Sequence, residues 1–405
     1  MISFDFDKDC CGCHACMNAC PVGAIEMKPN KEGFLMPNVN MDACIKCGKC
    51  EKVCPHLNTA SSIATYSLES FKDKPSYLYF LDSKEREESA SGGFVFAAMK
   101  SCLDNGGVVC GCVWDENMKA VHIITDKEGD LQRMQSSKYV QSEIGRCYSE
   151  VKAYLKRGRK VIFCGTPCQT AGLKSFLGRV DATNLISICV ICHGTPSPLV
   201  WEKWKQAQEH KYKGKLEYVN MRDKHKKGYA TTCCRYVYDV NGTKKIVERA
   251  AYIADPYVFL FSDSLYLRNS CYHCQYKADG NGADIIAGDF HASINEAGKW
   301  GCSSVFAMTP KGEDYIKTLP GYCMISDYRK LAGVNPMIWK SEKMNPQREV
   351  FFEKIQKDII SEKDFTHFLP RKFYVKKMLE QMGLFNKISR VSSSLFLKTS
   401  WKHPC

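Results

Sequence analysis

Within its first 58 residues the chain repeats one cysteine pattern. Cys10, Cys13, Cys16 and Cys20 precede Pro21, and 34 residues later Cys44, Cys47, Cys50 and Cys54 precede Pro55. Both runs read C-x2-C-x2-C-x3-C-P. Three thiolates at that spacing wrap one [4Fe-4S] cube on a short loop, and the fourth reaches across to the cube held by the other run. Cluster one is therefore expected on Cys10, Cys13, Cys16 and Cys54, and cluster two on Cys44, Cys47, Cys50 and Cys20. The fourth cysteine of each run is expected to start a helix, with the proline breaking its register. A zinc module would use a single four-ligand set with a longer gap between its pairs. Cys11 falls outside the pattern and reads as a spare thiol. Two copies of a ligand motif indicate a pseudo-twofold unit rather than a solenoid. The apolar stretches 24–27 and 34–36 flank Pro-Asn-Lys-Glu-Gly and suggest a hairpin.

The chain carries 24 cysteines in 405 residues. Many lie in C-x-x-C spacings, and residues 1–9 show no basic or apolar export signal, so metal thiolates in a reducing cytoplasm are expected rather than disulfides. No run of apolar residues is long enough to span a bilayer. The formal charge of +13 counts the cysteines as neutral. Each loaded cluster carries about −2, so three would lower the charge to roughly +7, and the basic balance gives no case for nucleic-acid binding.

Residues 1–58 form the cysteine-rich head and 59–75, small and polar, read as a linker. Residues 76–335 alternate apolar strand-like runs with helical stretches, the signature of an α/β domain. Strands are expected at 77–81, 107–114, 160–164, 185–189, 284–287 and 304–308. Helices are expected at 93–105, 143–157, 169–177, 198–210 and 311–318. Residues 336–405 read as a mostly helical, basic extension. Its last 35 residues hold eight Lys/Arg against Glu380 alone, interleaved with Phe373, Met378, Leu379, Met382, Phe385, Leu395, Phe396 and Trp401. The favoured reading is a helix packed on the parent domain with its charges solvated. The alternative is a basic amphipathic surface that contacts an anionic membrane or a partner.

Four later cysteines lie where an α/β sheet presents ligands. Cys168 and Cys192 each follow an apolar strand, and Cys271 and Cys274 form a C-x-x-C. Strand ends of an open α/β sheet converge on one edge. Read from the residues alone, these four fit a third cluster, a zinc site or separately buried small side chains. Cys110 and Cys112 alternate in a strand and read as core.

The head resembles bacterial two-cluster ferredoxins over its whole length. Five further segments occur in family order: Ser91-Gly92-Gly93, Ser136 to Ser142, Gly165-Thr166-Pro167-Cys168-Gln169, Cys192-His193-Gly194, and Cys271-x-x-Cys274 with Ala283-Asp284-Ile285-x-x-Gly288-Asp289. Together these motifs resemble the beta subunits of coenzyme F420 hydrogenases and dehydrogenases, over residues 1–330. The resemblance implies an α+β ferredoxin-like head joined to an α/β domain that binds FAD and a third [4Fe-4S] cluster, on Cys168, Cys192, Cys271 and Cys274.

It also implies a flavin site. Ser91, Gly92 and Gly93 precede a helix whose N–H groups suit a pyrophosphate, although an ordinary helix start has the same appearance. Thr166 lies in the motif that carries Cys168. Lys138 would pair with a phosphate or the reduced flavin, or be solvated. Asp284 and Asp289 would hold a ribose or a loop amide. His193 is the candidate proton donor, or a structural hydrogen-bonder. The expected function is an iron–sulfur flavoprotein oxidoreductase of the cytoplasm. It would exchange electrons with a ferredoxin-type donor or other redox protein and reduce a small organic acceptor, a deazaflavin or another. The alternative is a non-catalytic electron-transfer protein that feeds a partner enzyme.

Overall fold

The computed structural model describes residues 2–58, 66–292 and 295–382. In the head, β1 (Ile25–Pro29) and β2 (Leu35–Val39) pair antiparallel as the expected hairpin. The cysteine repeat is also a backbone repeat. Gly12 and Lys46, and then His14 and Gly48, occupy equivalent positions and all have positive φ, at 64°, 53°, 64° and 69°. Alternate left-handed residues curl each C-x2-C-x2-C loop back on itself, so its three thiols turn toward a common centre. Short helices Ala15–Ala19 and Lys49–Lys52 carry the third cysteines and end just before the fourth. The expected order is thus corrected. The helical turn precedes the fourth cysteine, and Pro55 begins a new helix, Pro55–Asn58, instead of breaking one, because proline suits a first helical turn.

The body strands are β3 (Ser76–Phe80), β4 (Val108–Trp114), β5 (Ala120–Thr125), β6 (Val161–Gly165), β7 (Leu185–Val190), β8 (Lys215–Asp223), β9 (Cys233–Val240), β10 (Thr243–Ala250), β11 (Ile285–Asp289), β12 (Ser303–Ala307) and β13 (Tyr322–Ile325). Among the described residues eight of them form one sheet, in the order β13-β3-β12-β11-β7-β6-β4-β5. The central four, β4, β6, β7 and β11, run parallel. They are near-continuous apolar runs, as strands covered on both faces must be. Helices Phe94–Asp104 and Pro310–Lys317 cover one face, and Cys147–Lys156 and Pro167–Leu177 the other.

A second lobe is built from the antiparallel sheet β10-β9-β8, with helices Pro198–Tyr212 and Pro256–Ser262 packed against it. The C-terminal helices Arg348–Ile355, Glu362–Thr366 and Arg371–Gln381 dock there through Phe351, Phe352, Ile355, Phe365 and Phe373. The last helix buries Phe373 yet leaves Tyr374, Val375, Met378 and Met382 exposed; Phe385, Leu395, Phe396 and Trp401 lie outside the described residues. The expected linker is shorter than 59–75. Tyr66 donates to the Gln275 carbonyl and Phe71 is fully buried against Phe306, because an apolar ring at 71 is better inside than in water.

The head is seated on the body. Arg268, 1% exposed, donates to the carbonyls of Cys10 (2.6 Å) and Leu35 (2.7 Å) and to Gln141 Oε1 (3.2 Å). Buried Arg348 forks onto Glu32. Asn18 donates to the Gly145 carbonyl and accepts from Ser149. Gly172 is needed where the helix meets the head, since a Cβ there would come within 2.8 Å of the Cys13 Cβ.

Candidate redox site

Cys10, Cys13, Cys16 and Cys54 line one cleft in the head, the set expected for cluster one. The Gly12 N–H donates to Cys10 Sγ (3.4 Å) and the Ala24 N–H to Cys20 Sγ (3.2 Å), contacts that favour a thiolate over a thiol. His14 also lines the cleft. It is 1% exposed and neither ring nitrogen has a partner. Burial and the Arg268 charge push its pKa down to about 3, so it is neutral with an N–H to give. Four thiols around one cleft, with an orphaned buried donor beside them, fit a cluster with acceptor sulfurs. The other set differs in exposure: Cys50 is buried, Cys20 and Cys44 are half-buried and Cys47 faces solvent.

In the body, adjacency of β6 and β7 brings Cys168 next to Cys192. Cys168 begins the helix Pro167–Leu177, whose start is fixed by a reciprocal Thr166–Gln169 capping box. Cys271 and Cys274 arrive on the segment after the second lobe. The charge of each of Cys168, Cys271 and Cys274 bears on Cys192, and burial raises the thiol pKa of all four. The Thr195 N–H donates to Cys271 Sγ (3.3 Å) and Thr166 Oγ1 lies 3.3 Å from Cys168 Sγ. Buried Lys277 donates to the Cys192 carbonyl. Tyr276, 4% exposed with an unpartnered hydroxyl, lies among Cys11, Cys13, Cys54 and Cys168. Buried Cys11 stands between the two sets, hydrogen-bonded toward both Cys13 and Cys168. Among the described residues no three His, Cys, Asp or Glu side chains have the spacing of a single-ion site. The other body cysteines are dispersed, with Cys102, Cys234 and Cys302 in three separate packing clusters and Cys110 beside Cys147.

A cavity of about 450 Å³ opens at the carboxyl ends of β4, β6, β7 and β11, and Cys11, Cys168 and Cys192 form part of its wall. Ser91, Gly93, Lys138, Thr166, His193 and Asp289 line it, as does Cys112, expected in the core. Gly93 (φ +88°) heads the helix Phe94–Asp104, whose first turn no side chain caps. Free N–H groups facing a cavity fit a pyrophosphate. Ser91 is committed to Ser303 by its hydroxyl (2.9 Å).

Two of the expected flavin residues do different work. Gly92 lies against the sheet, where a Cβ would come within 2.2 Å of the Tyr79 carbonyl oxygen. Its small size is demanded by strand packing, not by a ligand. Asp284 is at the opposite end of β11, held by Ser187, Thr309, Lys174 and Lys311, and it does not line the cavity. Asp289 does, but its carboxylate is paired with Arg222 at 2.6 Å. His193 Nε2 is 3.1 Å from Ser264 Oγ, and burial lowers its pKa although Glu342 opposes this. Lys138 donates to the Gln135 carbonyl and burial lowers its pKa.

Comparison with known proteins agrees with this division. Residues 158–328 match the family model for the C terminus of the coenzyme F420 hydrogenase/dehydrogenase beta subunit, and residues 9–58 match the 4Fe-4S dicluster domain. The chain belongs to the family of coenzyme F420 hydrogenase/dehydrogenase beta subunits. It is 23% identical to the F-type subunit of the F(420)H(2) dehydrogenase of Methanosarcina mazei over 76% of this chain and 81% of that one. It is 30% identical to the coenzyme F420-dependent sulfite reductase of Methanocaldococcus jannaschii over 41% of this chain, but only 24% of the relative. The ferredoxin-type protein NapF of Haemophilus influenzae is 44% identical over 43 residues, 11% of this chain and 24% of that one. This family member is thus an iron–sulfur protein of oxidoreductase type.

Sequence reading missed Arg222 and Lys224. Arg222 closes β8 and Lys224 follows it, and the alternation of that strand is broken by register shifts between Leu216 and Tyr218 and between Asn220 and Asp223. The available signal was the pair of cations in Met-Arg-Asp-Lys, closing an apolar strand. Lys224 is fully buried and donates to the carbonyls of Arg86, Ser91 and Trp300, which anchors the turn before the Phe94–Asp104 helix.

Proposed function

We propose that this protein carries electrons between a redox partner protein and a small organic acceptor, through two head clusters, a third cluster on Cys168, Cys192, Cys271 and Cys274, and FAD in the adjoining cavity. The observation that carries this reading is the shared wall: the cavity at the parallel strand ends is bordered by Cys168 and Cys192 and, through Cys11, by the cluster-one cleft. When bound, the clusters supply single-electron transfer and FAD couples it to two-electron reduction.

The chain's residues would then divide the work as follows. Gly93 and the open first turn of Phe94–Asp104 hold the pyrophosphate. Lys138 offers a cation at the cavity wall. Thr166, by capping its helix, fixes the direction of Cys168. His193, neutral at pH 7 and steadied by Ser264, holds or gives a proton at the wall. The exposed cluster-two set, with Val22, Met41 and Ile45 beside it, suits a redox protein as donor. Among the described residues no helix is long and apolar enough to cross a membrane.

Anaerobically purified protein should hold roughly twelve irons and release FAD at up to one per chain, and Cys271→Ser with Cys274→Ser should lower iron to roughly eight. An unchanged iron count refutes this ligand set. Wild-type protein that retains no FAD after reconstitution refutes the flavin. A second reading, an electron-transfer protein without its own acceptor, is favoured by one relative being named as part of a larger dehydrogenase. Reduction of an acceptor only when a partner chain is present would select it.

A further inference from the structure

At one wall of the cavity a buried guanidinium stands with half of its hydrogen-bonding edge free. Arg222, 4% exposed, comes from β8 and lines the cavity together with Asp289 and Tyr252. Its Nη1 is saturated, donating to Asp289 Oδ2 (2.6 Å), Tyr252 Oη (3.1 Å) and Tyr139 Oη (3.2 Å). Its Nη2 has only a long contact to the Ala90 carbonyl (3.4 Å), and its buried Nε has no partner. Tyr229 stands alongside, its ring centroid 5.6 Å from Cζ and its hydroxyl engaged with His291 Nδ1 (3.2 Å).

The Nε and Nη2 edge is the one with which arginine grips a carboxylate by two parallel bonds. A buried donor left unmade is costly, so this edge is suited to a ligand that completes it. The charge around it has the right sign. Lys138 and Arg222 line the cavity against one carboxylate, Asp289, and burial keeps His122, His193 and His291 toward their neutral forms.

We infer that Arg222, with the Tyr139 and Tyr252 hydroxyls, is the subsite for an anionic group, a carboxylate or similar oxyanion, on the acceptor that enters this cavity. This rests on the proposed reading of the cavity as the place where the acceptor meets FAD. The FAD pyrophosphate offers the same chemistry, so the test separates the two sources.

The probe is benzoate, with benzamide as its neutral counterpart, titrated calorimetrically into anaerobic full-length protein with and without FAD. Wild type should bind benzoate saturably and at least about tenfold more tightly than benzamide. Arg222→Gln should remove that preference. Arg222→Lys, which keeps a charge opposite Asp289 but lacks the two-donor edge, should also lose most of it and covers the case where the glutamine variant fails to fold. Asp289→Asn should tighten benzoate binding, because it frees the guanidinium from its competing anion.

Opposite effects of the Arg222 and Asp289 variants are the signature. Equal weakening by both would make the pair a structural clamp and overturn the inference, as would a wild type that binds neither probe or both alike. If Arg222→Lys loses FAD while the benzoate affinity of FAD-free protein is unchanged, the edge serves the pyrophosphate and the acceptor assignment is overturned. Benzoate binding through Arg222 in a wild type that never retains FAD would leave the anion subsite standing and refute the flavin reading alone.

Discussion

Replacing Arg268 by Met removes the cation that joins head to body while keeping a stem of similar length. The side chain is 1% exposed and stacks its guanidinium 5.1 Å from the Phe34 ring centroid. Two of its bonds, to the Cys10 and Leu35 carbonyls, are short and charge-assisted, at 2.6 and 2.7 Å. Each such bond contributes about 1.5–3 kcal/mol, so the pair contributes about 3–6 kcal/mol. That is a large part of the stability of an ordinary domain. The melting temperature of anaerobically loaded protein should fall by on the order of 10 °C. The control is Arg235→Met, whose side chain is about a third exposed and whose ion pairs are 3.9 Å long, so it should change stability by no more than about 1 kcal/mol. Arg268 also lowers the pKa of Cys10, against the dominant effect of burial. It therefore favours negative charge on that side of the cleft, and its loss should move the cluster-one midpoint potential downward in an EPR-monitored titration. A melting shift matching that of the Arg235 control, with an unmoved potential, would show that the head is not held in this way.

Two further outcomes follow from other parts of the molecule. His122 Nε2 pairs with the Cys164 carbonyl, and burial pushes its pKa down to about 4. The folded state therefore binds fewer protons than the unfolded state between about pH 6.5 and 4, and up to about 3 kcal/mol of stability should disappear as pH falls through that window. His122→Gln should flatten this loss in urea unfolding, and parallel pH profiles for the two proteins would refute it. For the tail, the exposed face of Tyr374, Val375, Met378 and Met382 gives a measurable membrane question. If it serves as a membrane contact, the full chain should co-sediment with anionic vesicles more than a chain ending at residue 370, and equal sedimentation would leave the helix as a packed element only.

The head was legible because all its ligands lie on one continuous stretch, so spacing alone groups them. The parallel strands were legible for a related reason: Val161–Gly165 and Leu185–Val190 are buried on both faces and read as apolar runs. The antiparallel lobe was not. In β10, Thr243 to Ile246 are exposed and include two lysines, and the bulges in β8 hide its alternation. Arg222 went unseen with that strand. Asp284 and Asp289 show a different limit. They are five residues apart and equally acidic in sequence, yet one strand carries them to opposite ends, where one meets lysines and the other an arginine at the cavity. Gly92 and Gly93 likewise look alike in sequence, and only the neighbouring backbone separates the glycine that packs from the glycine that opens a helix.

Burial also orders the three thiol sets. Cys47 faces water, Cys13, Cys16 and Cys54 are buried in the head, and the Cys168 and Cys192 set lies at the cavity wall inside the body. Negative charge away from water must be compensated by nearby donors or cations. The protein supplies them where water is shut out: Arg268 beside Cys10, and Lys277 against the Cys192 loop, each at most 3% exposed. The outer set has solvent for that purpose and Lys46, Lys49 and Lys52 exposed around it. Buried cations make an added electron less costly. On the proposed reading, electrons arriving at the exposed set would move inward toward centres whose extra charge is already balanced, and the cavity at the end of that line places Lys138 and Arg222 where the acceptor would receive it.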